Sequence, residues 1–277
     1  MTATRTRRAV GYRFHLEVDD DELARYLDEL FVGLLATDDG VAGVEWKVAR
    51  AADGRWAFAV GDDEVRLADS PEALVGTIVQ TLNTEVTRAW SGPVCHAGGV
   101  SVDGRAVLLP ADPESGKSTL TAGLVRAGFA YVSDEGVAFV AGTTHIEPYA
   151  KPLTLDPGSW ELFPELEPVA DFATDAYRRD QWQVPPTAFR PDAVSGPCDA
   201  RFVVFPKYVE GARTELMPVS RAEALVELAK NTFRFNTRSR AALQELDPVV
   251  RACACHRLVV GDLDTAVACV AELVSGD

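Results

Sequence analysis

The sequence predicts an α/β protein in which a small α+β unit over residues 1–90 precedes a larger α/β domain over residues 91–277. Three observations carry that prediction. Short apolar strands alternate with helical patterns along most of the chain; the texture changes at Val94; and the order strand, glycine-lysine loop, helix, strand surrounds Gly116-Lys117-Ser118. A chain of 277 residues, 47% hydrophobic and 25% charged, is long enough to bury one large core, or a core with a smaller attachment.

Met1 to Arg8 is basic but leads into no apolar signal core, so it reads as a frayed end and secretion is not indicated. Phe14 to Val18 alternates as a strand. Asp19-Asp20-Asp21-Glu22 then offers caps for an amphipathic helix with Leu23, Tyr26, Leu27, Leu30, Phe31 and Leu34 on its apolar face. Val44, Trp46 and Val48 alternate toward an Asp53-Gly54 turn, and Trp56 to Val60 returns as the second strand of a hairpin. Ser70-Pro71-Glu72 opens a helix, with serine as cap and proline at the first helical position, burying Leu74, Ile78 and Leu82.

From Val94, short strands are expected at Val94 to His96, Val100 to Val102 and Ala106 to Leu109, with a tight turn at Asp103-Gly104. The glycine-lysine loop follows, then a helix from about Ser118 to Ala127 ended by Gly128, then a strand from Phe129 to Val132. Residues 143–200 hold 9 of the 16 prolines and read as a long, mostly irregular excursion carrying Lys151 and Trp160. Phe202 to Phe205 is an apolar strand, Ser220-Arg221-Ala222-Glu223 is a capping box, and a strand over Arg257 to Val260 leads into a helix from Asp262 to Val274.

Composition narrows the function classes. Phe202 to Phe205 and Leu258 to Val260, the longest apolar runs, fall far short of the roughly 20 residues a membrane helix needs, so no membrane partner is expected. A net charge of -15 opposes the many Lys and Arg contacts that nucleic-acid phosphates require, and nucleic acid is not expected as a partner. The five cysteines are odd in number, and Cys253 and Cys255 are spaced C-x-C. Neither a disulfide framework nor a zinc ribbon is indicated, and the cytoplasm is the expected location. His145, His256 and the cysteines show no metal-ligand spacing.

Ala111-Asp112-Pro113-Glu114-Ser115-Gly116-Lys117-Ser118 follows the phosphate-loop pattern at each defining position except the first, where alanine replaces glycine. A strand delivers the chain into a turn whose N–H groups face inward, and the next helix, through Thr119, adds its positive end. Such a loop binds ATP: Lys117 reaches the β- and γ-phosphates and the Ser118 hydroxyl binds Mg²⁺. In so acidic a chain the anion needs this local array of N–H groups, lysine and Mg²⁺. Ala111 fits if its φ is negative, and Glu114 fits if it points outward. Asp134 follows the next strand, where a carboxylate either holds Mg²⁺ or accepts the proton of an attacking hydroxyl; Glu135 takes the role that Asp134 does not. The same four residues, Ser133-Asp134-Glu135-Gly136, also read simply as a polar turn.

Cys95-His96-Ala97-Gly98-Gly99, the loop, and Arg126-Ala127-Gly128 to Ser133-Asp134-Glu135 together resemble the catalytic core of HPr kinase/phosphorylase and its kinase-like relatives. The resemblance covers about residues 93–160, with a weaker part over Arg257 to Val274. It implies an HPr-kinase-like fold, His96 near the phosphates, Lys117 and Ser118 on ATP and Mg²⁺, Asp134 as the base that activates a hydroxyl, and Glu147 as a further metal-associated carboxylate. The loop lacks two of the family's glycines, and Glu135 stands where the family has a second aspartate. The first 90 residues do not resemble the bacterial regulator's N-terminal domain.

The reading is therefore an ATP- and Mg²⁺-dependent kinase acting on a hydroxyl of a peptide, a protein or a small molecule. A regulatory or partner-binding module that keeps ATP without efficient transfer is the alternative, and homo-oligomerisation is among the options left open. Lys151 reads either as a phosphate-facing lysine or as a solvated one. Arg234, Arg238 and Arg240 read as a phosphate clamp or as partners of surface carboxylates.

Overall fold

In the computed structural model, which describes residues 3–37, 40–167 and 181–276, the chain passes twice through each of two units. One unit takes Met1–Ala89 and Ala150–Ala188; the other takes Trp90–Tyr149 and Phe189–Asp277. Met1 and Thr2 of the expected frayed end, and residues 168–180 of the expected excursion, lie outside the described residues.

The first unit opens on a strand where a loose end was expected. β1 (Ala3–Ala9) pairs antiparallel with β2 (Tyr12–Val18) around Val10, whose φ is 54°. Alternating Thr and Arg carry no apolar signal, so this strand rests on its ladder and on the buried Arg7, which donates to Asp28 Oδ1 at 2.5 Å. α1 (Asp21–Leu30) begins where Asp20 accepts the N–H groups of Glu22 and Leu23, and it buries Leu23, Leu27 and Leu30. β3 (Val44–Arg50) runs parallel to β2 and turns through Gly54, at φ 86°, into β4 (Trp56–Val60). β5 (Arg66–Ala68) completes a sheet of order β1-β2-β3-β4-β5. Trp46, Phe14 and Phe58 fill its centre, with Trp46 4.4 Å from Phe14 and 5.3 Å edge-on to Phe58. α2 (Pro71–Ala89) starts where Ser70 Oγ accepts the Ala73 N–H.

The second unit is built on one mixed sheet. β6 (Val94–Val102) is continuous where two short strands were expected, and it turns through Asp103 and Gly104, both at positive φ, into β7 (Arg105–Pro110). Two consecutive residues at positive φ are what a type I′ hairpin needs. α3 (Lys117–Arg126) follows, ended by Gly128 at φ 109°. β8 (Ala130–Ser133), β9 (Gly136–Phe139) and β10 (His145–Glu147) come next.

Back in the first unit, β11 (Leu153–Leu155), the short α4 (Pro157–Trp160) and β12 (Trp182–Val184) bring Trp160 and Trp182 into a parallel stack at 4.9 Å. This part of the proline-rich excursion is thus partly regular, because β11 and β12 pair with each other.

The chain returns to the second unit as β13 (Cys198–Tyr208), β14 (Glu215–Pro218), α5 (Arg221–Lys230), α6 (Phe235–Ala252), β15 (Ala254–Val260) and α7 (Leu263–Ser275). Ser220 caps α5 through the Glu223 N–H, and Asp262 caps α7 through the Thr265 N–H. The strand order is β10-β9-β6-β7-β13-β15-β14, with β8 also on β6. β13 lies parallel to both β7 and β15 and forms the middle of the sheet. Its core includes Leu108, Val132, Phe139, Val203, Leu228 and Leu246. Among the described residues no helix is long and apolar enough to cross a membrane.

Candidate functional site

The glycine-lysine loop leaves β7 at Pro110, and its last residue, Gly116, takes φ 85° and ψ 10°. That left-handed turn suits glycine, and it opens a ten-residue helix. Ala111 is buried and is not among the residues at positive φ, which meets the condition set by its missing glycine. Asp112, Pro113 and Glu114 are exposed, so Glu114 points to solvent, although at φ 62° it occupies a conformation that glycine adopts more easily. Ser118 and Thr119 are half-buried at the helix start.

Lys117 is only 7% exposed, and its stem lies against the sheet. A Cβ built on Gly98 of β6 would lie 3.2 Å from Lys117 Cγ and would collide with Thr121 Oγ1. The absence of a side chain at Gly98 therefore lets the first turn of α3 settle on β6. Ser115 Oγ is buried without a hydrogen-bond partner among the described residues, an arrangement that ordinarily costs free energy unless a further group satisfies it.

Asp134 and Glu135 occupy a break between β8 and β9. Gly99 pairs with Ser133 and His96 with Gly136, and the Ala97 N–H donates to the Glu135 carbonyl at 3.2 Å. The register thus sets Glu135 opposite Ala97 and Asp134 opposite Gly98. Both strands are antiparallel to β6, and Asp134 directly follows the C-terminal end of β8 at Ser133. Gly98 is the common point: Lys117 packs over it from α3, and Asp134 lies beside it from the neighbouring strand.

The pairing slips by one residue between Gly99 and Val100, leaving Val132 as a bulge. Bulges re-aim side chains, and here Tyr131 Oη donates to Asp134 Oδ1 at 2.8 Å across three residues. Asp134 is 1% exposed. Burial, with the Asp134 charge beside it, raises the Tyr131 pKa well above its usual value, so the phenol stays a donor. Ser133 Oγ accepts the N–H groups of Glu135 and Gly136 and fixes the turn.

His96 and Glu135 meet: His96 Nδ1 lies 3.3 Å from Glu135 Oε1 and 3.1 Å from its carbonyl. The imidazole also meets Phe233 edge-on at 5.7 Å. On its other edge this part of β6 is covered by Asn231 to Phe233, with the His96 N–H donating to the Asn231 carbonyl. Tyr149 is buried, and its pKa is raised well above the usual value by burial first and then by the charges of Glu135 and Asp134.

Glu147 pairs in register with Ala138, two residues along β9 from Gly136, and its carboxylate lies 3.9 Å from His145 Nε2. Among the described residues no three His, Cys, Asp or Glu side chains gather as a metal site, so Glu147 closes no cluster with Asp134 and Glu135. Lys151 is not a solvated lysine: it is 1% exposed and donates to the Pro152 carbonyl at 2.9 Å. Arg238 bonds the Ser91 carbonyl and Glu245 and so is engaged within its own unit.

Sequence reading placed Ser115 in the phosphate loop and Ser133 in a polar turn, but it missed Tyr131 and Tyr149. Only the i, i+3 spacing of Tyr131 and Asp134 was available to it, and that spacing has no meaning in a regular strand without the bulge.

Comparison by sequence finds no family model and no curated protein that matches this chain. Comparison of folds finds a likeness to the structure of the Hpr(Ser) kinase/phosphatase from Coxiella burnetii, at 12% identity and a TM-score of 0.34, covering 66% of this chain and 95% of that one.

Proposed function

We propose that this protein is an ATP- and Mg²⁺-dependent phosphotransferase that moves a γ-phosphoryl group to a hydroxyl of a peptide, a protein or a small molecule. The observation that carries this reading is that Lys117, at the start of a helix opened by a left-handed glycine, packs over Gly98, the residue that the strand register sets opposite the buried Asp134. The residues fit the nucleotide: the N–H groups at a helix N-terminus suit a phosphate, and Ser115 Oγ is a buried hydroxyl with no hydrogen-bond partner among the described residues.

In this reading the loop from Ala111 to Gly116 shapes the phosphate cradle, Lys117 neutralises phosphate charge, and the hydroxyls of Ser118 and Thr119 face the nucleotide and its ion. Mg²⁺, when bound, supplies charge neutralisation and holds the phosphates in one orientation. Asp134 accepts the acceptor hydroxyl's proton, oriented by Tyr131, and Glu135 holds His96 beside the phosphates or serves the metal. Glu147 is a more distant metal-associated carboxylate. In this reading the catalytic domain lies within residues 91–277 and takes its site residues from the unit Trp90–Tyr149 with Phe189–Asp277, while Ala150–Ala188 belongs to the other unit. Five free cysteines suit a reducing compartment, in keeping with the cytoplasm.

Transfer from ATP to a panel of hydroxyl acceptors, followed by phosphorus NMR, tests the proposal. Asp134→Asn is expected to lower the turnover by about 10²- to 10⁴-fold with ATP affinity unchanged, the range for loss of a general base. Transfer by Asp134→Asn at the wild-type rate would remove the assignment. The near-complete burial of Asp134 favours a second reading, a nucleotide-binding regulatory module. It expects ATP binding with no phosphorylated product from any acceptor.

A further inference from the structure

Beside the loop stands an aromatic side chain with no part in the chemistry above. β13 is the parallel neighbour of β7, and its last residue, Tyr208, comes level with the glycine-lysine turn. The Tyr208 N–H donates to the Ser115 carbonyl at 3.2 Å. A Cβ built on Gly116 would lie 3.5 Å from Tyr208 Cβ, so the tyrosine's stem stands against the glycine that opens α3. Tyr208 is nevertheless 54% exposed, and the next residue, Val209, is 38% exposed. Among the described residues, the Tyr208 ring has no aromatic partner and its hydroxyl has no hydrogen bond.

The loop itself recognises only phosphate. Its N–H groups and lysine would hold inorganic tripolyphosphate as readily as ATP, so any preference for a nucleotide must come from a surface that meets the base. A purine is flat and apolar on both faces, and a half-exposed tyrosine whose stem stands against the phosphate turn offers a matching face. Strand propensity alone would also admit tyrosine here, but it does not require the ring to be left unpacked beside an anion site.

We infer that Tyr208 is the nucleobase platform of this site: its ring stacks on the base of the nucleotide whose phosphates lie on the α3 N-terminus, and Val209 extends the apolar ledge. The inference rests on the phosphate-site reading given above. The test separates the two by titrating ATP and inorganic tripolyphosphate, each with Mg²⁺, into the full chain and into Tyr208→Ala and Tyr208→Phe.

Wild type is expected to bind ATP about tenfold or more tightly than tripolyphosphate, the scale of one base–aromatic stack. Tyr208→Ala is expected to lose about that factor for ATP and nothing for tripolyphosphate, which also serves as the check that the variant is folded. Tyr208→Phe keeps both affinities. Unchanged ATP affinity in Tyr208→Ala would overturn the inference and leave the phosphate site standing. Equal losses for both ligands would overturn it too, because the tyrosine would then be shaping the loop. Failure of wild type to bind either ligand would instead sink the phosphate-site reading, and the inference with it.

Discussion

At the scale of single residues, the contact between Tyr131 and Asp134 shows how a carboxylate can be kept in a buried place. One phenol hydrogen bond reaches Asp134 Oδ1, and the bulge at Val132 makes that contact possible. Removing the donor leaves a buried charged acceptor short of a partner, so Tyr131→Phe is expected to lower unfolding stability by roughly 1.5–3 kcal/mol. Urea denaturation measures it, and a wild-type midpoint would contradict the assigned contact. The residues of the loop were legible because their meaning is local: Gly116, Lys117 and Ser118 act through a turn and the helix that follows. Tyr131 was not, because a strand tyrosine gains its role only from a bulge that the sequence does not announce.

At the scale of elements, the approach of α3 to β6 depends on glycine. A methyl at Gly98 would enter Thr121 Oγ1, which donates to the Lys117 carbonyl, and press on Lys117 Cγ. Gly98→Ala is therefore expected to cost about 1–3 kcal/mol by overpacking and also to weaken ATP binding. Urea denaturation and titration together check it; a variant with wild-type stability and affinity would show that the helix does not seat on that glycine. The pair Gly98-Gly99 was visible in the sequence, but the steric reason for it was not. Helix ends were the most readable features: Ser70, Ser220, Asp262 and Gly128 each stand at or beside the boundary their chemistry predicts. β1 was the least readable, since alternating Thr and Arg reveal a strand only once β2 lies beside them.

At the scale of the molecule, the chain's double passage through two units could not be read from the sequence, because the cue for residues 150–188 was proline content, which marks turns and does not say which body a segment joins. Burial across the second unit also sets a pH dependence. Desolvation pushes the thiols of Cys95 and Cys253 up to about 12 and that of Cys198 up to about 11, from an ordinary value near 9.0. Above about pH 9 the unfolded chain releases these protons while the folded chain keeps them, so stability is full below that pH and falls as pH rises toward 11 or 12. The urea midpoint at pH 10 is expected below that at pH 8, by roughly 1 kcal/mol per thiol; an equal or higher midpoint at pH 10 would contradict the burial of these side chains. The central claim, that the glycine-lysine loop is a nucleotide phosphate site, is tested most directly by calorimetric titration of ATP with Mg²⁺ into wild type, Lys117→Ala and Asp134→Asn. Wild type and Asp134→Asn are expected to bind alike, and Lys117→Ala at least about tenfold more weakly, a loss of about 1.4 kcal/mol or more. No binding by wild type, or wild-type affinity in Lys117→Ala, would contradict it.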